Sequence, residues 1–453
     1  MSSSFSTFRK AKARDPSRIT RPFKNFLKNE AISGILLISS VMIAIIIANS
    51  TFHDQFEEFW MVEFGISVGK FSIFNELHIW INDFLMTLFF LLVGLEIKRE
   101  LLIGELSTVK RALLPTIAAL GGMIMPALIY VMINPPGSPG ARGWAIPMAT
   151  DIAFALGILF LLGKRVPTSI RIFLASLAIV DDIGAVLVIA FFYSETIIFD
   201  YIIYAGIIII LLILLNYFQI NRFLPYLLLG LILWYFVYLS GIHATIAGVI
   251  LAFTIPARTK IDFEEFRAIS SNLVVQMNNA VDTQDIEGRR LKLYQNSIQT
   301  LERACNEVQA PLQKFEHSIA PLVTFVIMPI FALSNSIIVF KEPLLALLAN
   351  RIVIGVILGL LIGKPLGIFG ATYVGVRLGI IEKPPQISWL QILGTGFLGG
   401  IGFTMAIFIS ALAFPITIFP AGILIGYTKI AILIASTLSS IAGITILVYS
   451  AEH

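Results

Sequence analysis

Gly34-Ile35-Leu36-Leu37-Ile38-Ser39-Ser40-Val41-Met42-Ile43-Ala44-Ile45-Ile46-Ile47-Ala48-Asn49 carries no charge over a length that, wound as a helix, covers most of the hydrocarbon of a bilayer. Residues 206–215, Gly-Ile-Ile-Ile-Ile-Leu-Leu-Ile-Leu-Leu, repeat the pattern, and similar runs follow at short intervals. Of the 453 residues 57 % are apolar and only 13 % charged, against about 25 % charged in an ordinary soluble domain. Mean hydropathy is +0.89. A soluble fold of this size would be swamped by apolar surface, so the chain reads as an all-α integral membrane protein. A cytosolic enzyme, a secreted disulfide scaffold and a nucleic-acid binder are excluded. The single cysteine, Cys305, leaves no internal disulfide to form.

At about 20 residues per crossing, twelve spans are expected, starting near residues 31, 78, 113, 144, 170, 198, 223, 241, 317, 351, 389 and 421. The basic N-terminus precedes an apolar run without a convincing cleavage site, and reads as leading into a retained first span. Basic residues set the orientation, because Lys and Arg stay on the cytoplasmic side. The tail 1–30 holds Arg9, Lys10, Lys12, Arg14, Arg18, Arg21, Lys24 and Lys28, and alternate connections hold Lys98, Arg99, Lys110, Arg111, Lys164, Arg165, Arg171 and Arg222. Residues 51–76 carry Asp54, Glu57, Glu58 and Glu63 against one lysine, Lys70, and are expected outside. Twelve crossings return both termini to the cytosol.

The expected organisation is a basic cytoplasmic tail (1–30), eight spans (31–257), a cytoplasmic helical insert (258–315) and four further spans (316–453). Within the insert, Leu291, Tyr294, Ile298, Leu301, Cys305, Val308, Leu312 and Phe315 recur at steps of three and four, with Pro311 bending or ending that helix. An earlier stripe, Phe266, Leu273, Met277 and Ala280, precedes Asp282-Thr283-Gln284-Asp285, so a helical hairpin is expected. Its apolar stripe packs on a neighbour helix or touches a second copy of the chain.

An ionisable side chain in hydrocarbon costs several kcal/mol unless paired, protonated or wetted, so each marks a functional candidate. Asp151 lies in Pro147-Met148-Ala149-Thr150-Asp151-Ile152-Ala153-Phe154-Ala155, Asp181 and Asp182 in Leu177-Ala178-Ile179-Val180-Asp181-Asp182-Ile183-Gly184-Ala185, and Lys364 in Leu361-Ile362-Gly363-Lys364-Pro365-Leu366-Gly367. Asp83 and Lys429 fall nearer span ends. On a helix the side chains of Asp181 and Asp182 diverge by about 100°, so they need different partners. One could pair with a cation such as Lys364 while the other offers oxygens to a hard metal ion. A proton and Na⁺ then compete for one carboxylate.

Two spans read as broken. Pro147 and Thr150-Asp151 interrupt the fourth, and Gly394-Thr395-Gly396 with Gly399-Gly400-Ile401-Gly402 interrupts the eleventh. Half-helix ends carry partial charge, which Asp151 and Lys364 could each neutralise. Thr150-Asp151-Ile152-Ala153-Phe154 is weakly echoed by Thr404-Met405-Ala406-Ile407-Phe408, as an inverted repeat would require.

Those stretches, with residues 89–101 (Phe-Phe-Leu-Leu-Val-Gly-Leu-Glu-Ile-Lys-Arg-Glu-Leu), residues 241–249 (Gly-Ile-His-Ala-Thr-Ile-Ala-Gly-Val) and Gly400-Ile401-Gly402-Phe403-Thr404-Met405, resemble the bacterial NhaA-type sodium/proton antiporters. The resemblance covers nearly the whole chain outside the insert. It implies an inner-membrane antiporter that expels Na⁺ or Li⁺ against inward proton flow, electrogenic and without a cofactor. The fold it implies has inverted repeats and two broken helices crossing at mid-membrane. By that match Asp182 is the principal ion ligand, Asp181 the neighbour that pairs with Lys364, and Thr150 with Asp151 the broken-helix contribution. The match also implies a pH response through Glu96, Arg99, Glu100, Glu316 and His317, although Ala320 stands where the family pattern has a second histidine. His243 falls in a family motif but reads as packing. Partners are then Na⁺, Li⁺, H⁺ and the lipid bilayer, with a homodimer left open. A passive cation channel lined by the same carboxylates is the alternative. An intramembrane aspartyl protease needs its aspartates on separate helices, which adjacent Asp181 and Asp182 do not provide.

Overall fold

The structure, a computed structural model, describes residues 30–68, 71–194, 197–282, 287–339, 347–415 and 423–452. The basic segment 1–29 and residues 283–286, on which the expected connection of the helical hairpin falls, lie outside the described residues.

Among the described residues the chain is helical apart from one hairpin. Helix α1 (Glu30–Ala48) bends through 116° into α2 (His53–Met61). Strands β1 (Glu63–Val68) and β2 (Phe71–Glu76) then pair antiparallel, Glu63 opposite Glu76 and Val68 opposite Phe71. The acidic stretch expected as an outer connection is therefore structured. Two side chains pin the hairpin: Trp80 Nε1 donates to Phe64 O at 2.7 Å, and Asn75 Nδ2 to Tyr238 Oη at 3.0 Å.

The apolar helices follow as α3 (Leu77–Ile103), α4 (Val109–Ile133), a 3₁₀ segment Ala141–Met148 leading to α5 (Ile152–Leu161), α6 (Thr168–Phe192) and α7 (Phe199–Tyr217). Next come α8 (Phe223–Leu239) and α9 (Thr245–Thr254), shorter than a full crossing. After the insert helices α10 (Phe263–Asp282) and α11 (Glu287–Val308) come α12 (Pro311–Asn335), α13 (Arg351–Arg377), α14 (Trp389–Gly399), α15 (Phe403–Ala413) and α16 (Ile423–Glu452). By length and composition eight helical segments among the described residues can cross a bilayer, or ten if each bent pair is one span. This is a multi-pass helical membrane protein.

Two boundaries differ from the sequence expectation, each for a local reason. The insert helix ends at Val308, ahead of Pro311 as expected, but Pro311 also opens α12, whose first turn needs no N–H from it, so Leu312 and Phe315 belong to α12 and not to the insert stripe, and are buried there. The helix expected near 241 starts at Thr245, because Gly241 takes φ +80° in the turn after α8. The far end of α9 is held by Lys98, whose ammonium donates to Phe253 O at 2.7 Å and Ile255 O at 2.5 Å.

One helix crossing positions the site. Around Lys364, Gly363 and Gly367 form a small-xxx-small face on α13 that meets Gly121, Gly122 and Pro126 of α4. A methyl group on Gly367 would lie 2.1 Å from Gly121 O, and one on Gly121 would lie 2.2 Å from Gly367 O. The backbones therefore touch where the lysine must be aimed. We expect Gly367→Ala to cost about 1–3 kcal/mol by overpacking, read as a lower thermal-unfolding midpoint of purified protein. An unchanged midpoint would mean that the crossing opens freely.

Candidate ion-binding site

Both broken spans are interrupted by a few residues, and the interruptions touch. After the 3₁₀ segment the chain is extended at Ala149 and Asp151; between α14 and α15 the break is at Gly400-Ile401-Gly402, where Gly400 N–H still bonds Gly396 O and Gly402 O opens the next helix by accepting from Ala406 N–H. Asp151 N–H donates to Ile401 O at 2.7 Å, and Thr150 Oγ1 to Gly399 O at 2.9 Å. Gly402 allows the approach: a methyl group there would lie 3.1 Å from Ala149 O. Gly394-Thr395-Gly396 do not interrupt anything; they are inside α14, where their missing side chains admit Leu447 and Pro365.

Asp151 caps two helices at once. Its Oδ1 accepts from Phe154 N at 3.0 Å at the start of α5, and its Oδ2 accepts from Thr404 N at 3.1 Å and from the Thr404 hydroxyl at the start of α15. Each helix start carries partial positive charge, and one carboxylate answers both. Lys364 serves the opposite pole: its ammonium donates to Met148 O, the carbonyl closing the 3₁₀ segment, and to Asp181 Oδ2 at 2.7 Å. A π-helical turn over Gly359–Gly363, followed by Pro365 with no N–H to give, delivers the lysine to that position.

Thr150, Asp151, Asp181, Asp182 and Lys364 are each at most 2 % exposed. Within this enclosure Asp181 Oδ1 and Asp182 Oδ2 have no hydrogen-bond partner among the described residues. The charges of Asp181, Glu96, Asp151 and Lys364 all act on Asp182, and Thr150 lies against Asp181. Among the described residues no three His, Cys, Asp or Glu side chains converge as a metal cage. A cation here would take one or two carboxylates plus carbonyl and hydroxyl oxygens, a set suited to a hard monovalent ion that must leave again.

A second cluster gathers the remaining candidates. Arg99 lies 3.1 Å from both Glu100 Oε1 and Glu316 Oε2, and Glu316 interacts with His317. Glu96 interacts with Glu316, Arg99 and Glu100 on one side and with Asp182 on the other, so it joins the two clusters. Ala320 packs against the apolar core. His243 Nε2 pairs with Tyr193 O at 2.8 Å.

Residues 24–447 match the family described as Na⁺/H⁺ antiporter 1. The chain belongs to this antiporter family. It is 45 % identical over 420 residues to the Na⁺/H⁺ antiporter NhaA of Helicobacter acinonychis, covering 93 % of each chain. It is 46 % identical to NhaA 1 of Aliarcobacter butzleri, covering 86 % of this chain and 89 % of that one, and 45 % identical to NhaA of Wolinella succinogenes, covering 86 % of each. The family is one of transporters, not enzymes, and the apolar helices with bacterial relatives make this a multi-pass inner-membrane protein.

Sequence reading of this antiporter missed two participants. Thr404 entered only through the echo and a family motif, with no role of its own, although a Thr just after a glycine run and before an apolar helix is a capping signal. Lys98 was read for topology and as part of a family motif, without a structural role, yet it closes α9, which packs along α3.

Proposed function

We propose that this antiporter exports Na⁺, or Li⁺, in exchange for protons, through a single site alternately open to the two sides of the membrane, with Asp182 and Asp181 as the carboxylates that hold the ion. The observation carrying this reading is Asp182 Oδ2, a buried oxygen without a hydrogen-bond partner among the described residues, next to Asp181 inside a closed polar enclosure whose counter-charge is Lys364. A buried oxygen with no donor is satisfied either by a proton on the carboxyl or by a cation, not by both at once. Competition for the same atoms couples the two fluxes.

In this reading Asp151 and Thr150 hold the crossing of the broken spans at mid-membrane, and Lys364 steadies Asp181. Glu96, Arg99, Glu100, Glu316 and His317 form the cytoplasmic mouth that answers to pH, connected to the site through Glu96. Twelve crossings are reached when α8, α9 and the two bent pairs each count as a span, related by inverted repeats, with both termini, the tail 1–30 and the insert 258–315 in the cytosol. More positive charge enters as protons than leaves as Na⁺, so exchange is electrogenic and the membrane potential assists it. A homodimer would form through surfaces outside the carboxylate site.

Purified protein in liposomes should dissipate an imposed pH gradient when Na⁺ or Li⁺ is added, and faster with an inside-negative potential on the cytoplasmic side. Na⁺ flux that leaves the proton gradient untouched would assign the carboxylates to a passive channel instead.

A further inference from the structure

A cavity of about 640 Å³ opens where the C-terminal ends of α3 and α7 meet the chain leading from α9 and the start of α12. Its lining includes Arg99 and Arg258 and no acidic residue. Leu102, Ile103 and Tyr217 on its walls are largely exposed, whereas Leu312 at its base is buried. Apolar walls at a helix end with guanidinium groups beside them match the boundary between acyl chains and head groups.

The two arginines differ. Arg99 already faces Glu100 and Glu316, while Arg258 is exposed and has no ion pair among the described residues. At the rim Gln219 takes φ +54°, the one non-glycine residue with positive φ among the described residues. That left-handed cap ends α7 abruptly, with Ile220 N–H bonded to Leu215 O at 3.0 Å, and leaves the side of the cavity open. A soluble anion would not need the apolar walls, and the chain's own tail, with Arg9, Lys10, Lys12 and Arg14, has the wrong charge.

We infer that the cavity binds one anionic phospholipid, its phosphate at Arg258 and its acyl chains along Leu102, Ile103 and Tyr217. Arg99 completes the phosphate contact, which places the lipid next to the Glu100–Glu316 cluster. This inference concerns a surface outside the carboxylate site and does not depend on the transport reading.

The test uses full-length protein in detergent, incubated with dioleoylphosphatidylglycerol or dioleoylphosphatidylcholine, and measures lipid retained after gel filtration together with the unfolding midpoint. Phosphatidylglycerol should be retained and should raise the midpoint, and phosphatidylcholine should do neither. Arg258→Gln should cut phosphatidylglycerol retention at least fivefold, as should Ile103→Glu, which places a negative charge on the acyl wall. Lys110→Gln, changing an exposed lysine paired with Glu382, should not. Glycerol 3-phosphate in excess should fail to displace the lipid. Equal retention by Arg258→Gln and Ile103→Glu, or displacement by glycerol 3-phosphate alone, would overturn the proposal; the first removes the site and the second makes it a pocket for a soluble phosphate.

Discussion

Asp182→Asn is expected to abolish exchange, reducing Na⁺-dependent proton movement in liposomes to that of empty vesicles, while leaving the unfolding midpoint close to that of the unchanged protein. The amide keeps the shape of the carboxyl and fits among the same neighbours. It loses the charge that attracts a cation and the group that takes a proton, so both halves of the exchange fail together. Nothing in the surrounding hydrogen bonding is lost, because Asp182 Oδ2 has no partner to lose. The heat of Na⁺ binding should disappear as well. In the unchanged protein that binding should weaken as pH falls, because each proton bound removes the oxygens the ion needs, and each Na⁺ bound should release protons. Exchange surviving in Asp182→Asn would move the ion to other ligands.

Asp151→Asn should behave in the opposite way, and the contrast separates transport from architecture. Asp151 accepts from three donors on two helix starts. An amide can present only one oxygen to them, and its NH₂ group must then face an N–H or the Thr404 hydroxyl. The expected loss is therefore in the unfolding midpoint, with exchange falling as a consequence. The two aspartates are equally buried, so burial alone does not assign their roles; the count of donors does.

How much of this could be read from the chain follows from where the partners lie. Apolar run length acts locally, and from it the apolar helices and the ionisable groups buried among them could be read. The broken fourth span was also visible, because Pro147 and Asp151 are poor in a helix interior. Pairings that close the site join residues far apart: Thr404 reaches Asp151 across 253 positions and Lys364 reaches Asp181 across 183. No local periodicity encodes such contacts; the residues alone suggested Lys364 as a partner for one of the two adjacent aspartates, and only the family resemblance chose Asp181. Glycine was ambiguous for a different reason. Gly394 and Gly396 admit neighbouring side chains inside a helix, whereas Gly402 admits a backbone at a break. The residue type is the same, and only the atom it makes room for tells the two uses apart. The hairpin at 63–76 was read as a charged connection because its pairing depends on anchors, Trp80 and Tyr238, outside it.

Lys364 should show a graded response that distinguishes a counter-charge from a proton carrier. Its ammonium is fully enclosed and donates to Asp181 Oδ2 and Met148 O. Lys364→Ala leaves a buried carboxylate without its cation and a helix-end carbonyl without its donor. Breaking a buried ion pair by removing one partner costs about 3–5 kcal/mol, so the unfolding midpoint should drop and exchange should fall with it. Lys364→Arg restores the charge but not the fit. The guanidinium is planar and longer than an ammonium, and the lysine it replaces is fully enclosed. Arginine should therefore recover much of the midpoint and part of the exchange. It cannot release its proton near neutral pH, which makes it the deciding variant. If Lys364→Arg is as inactive as Lys364→Ala while being far more stable, the lysine must give up a proton during the cycle, and Asp182 would be only one of two groups carrying protons. Activity tracking stability across Lys364→Ala, Lys364→Arg and the unchanged protein instead confines proton traffic to the carboxylates and leaves the lysine as the fixed charge against which they switch.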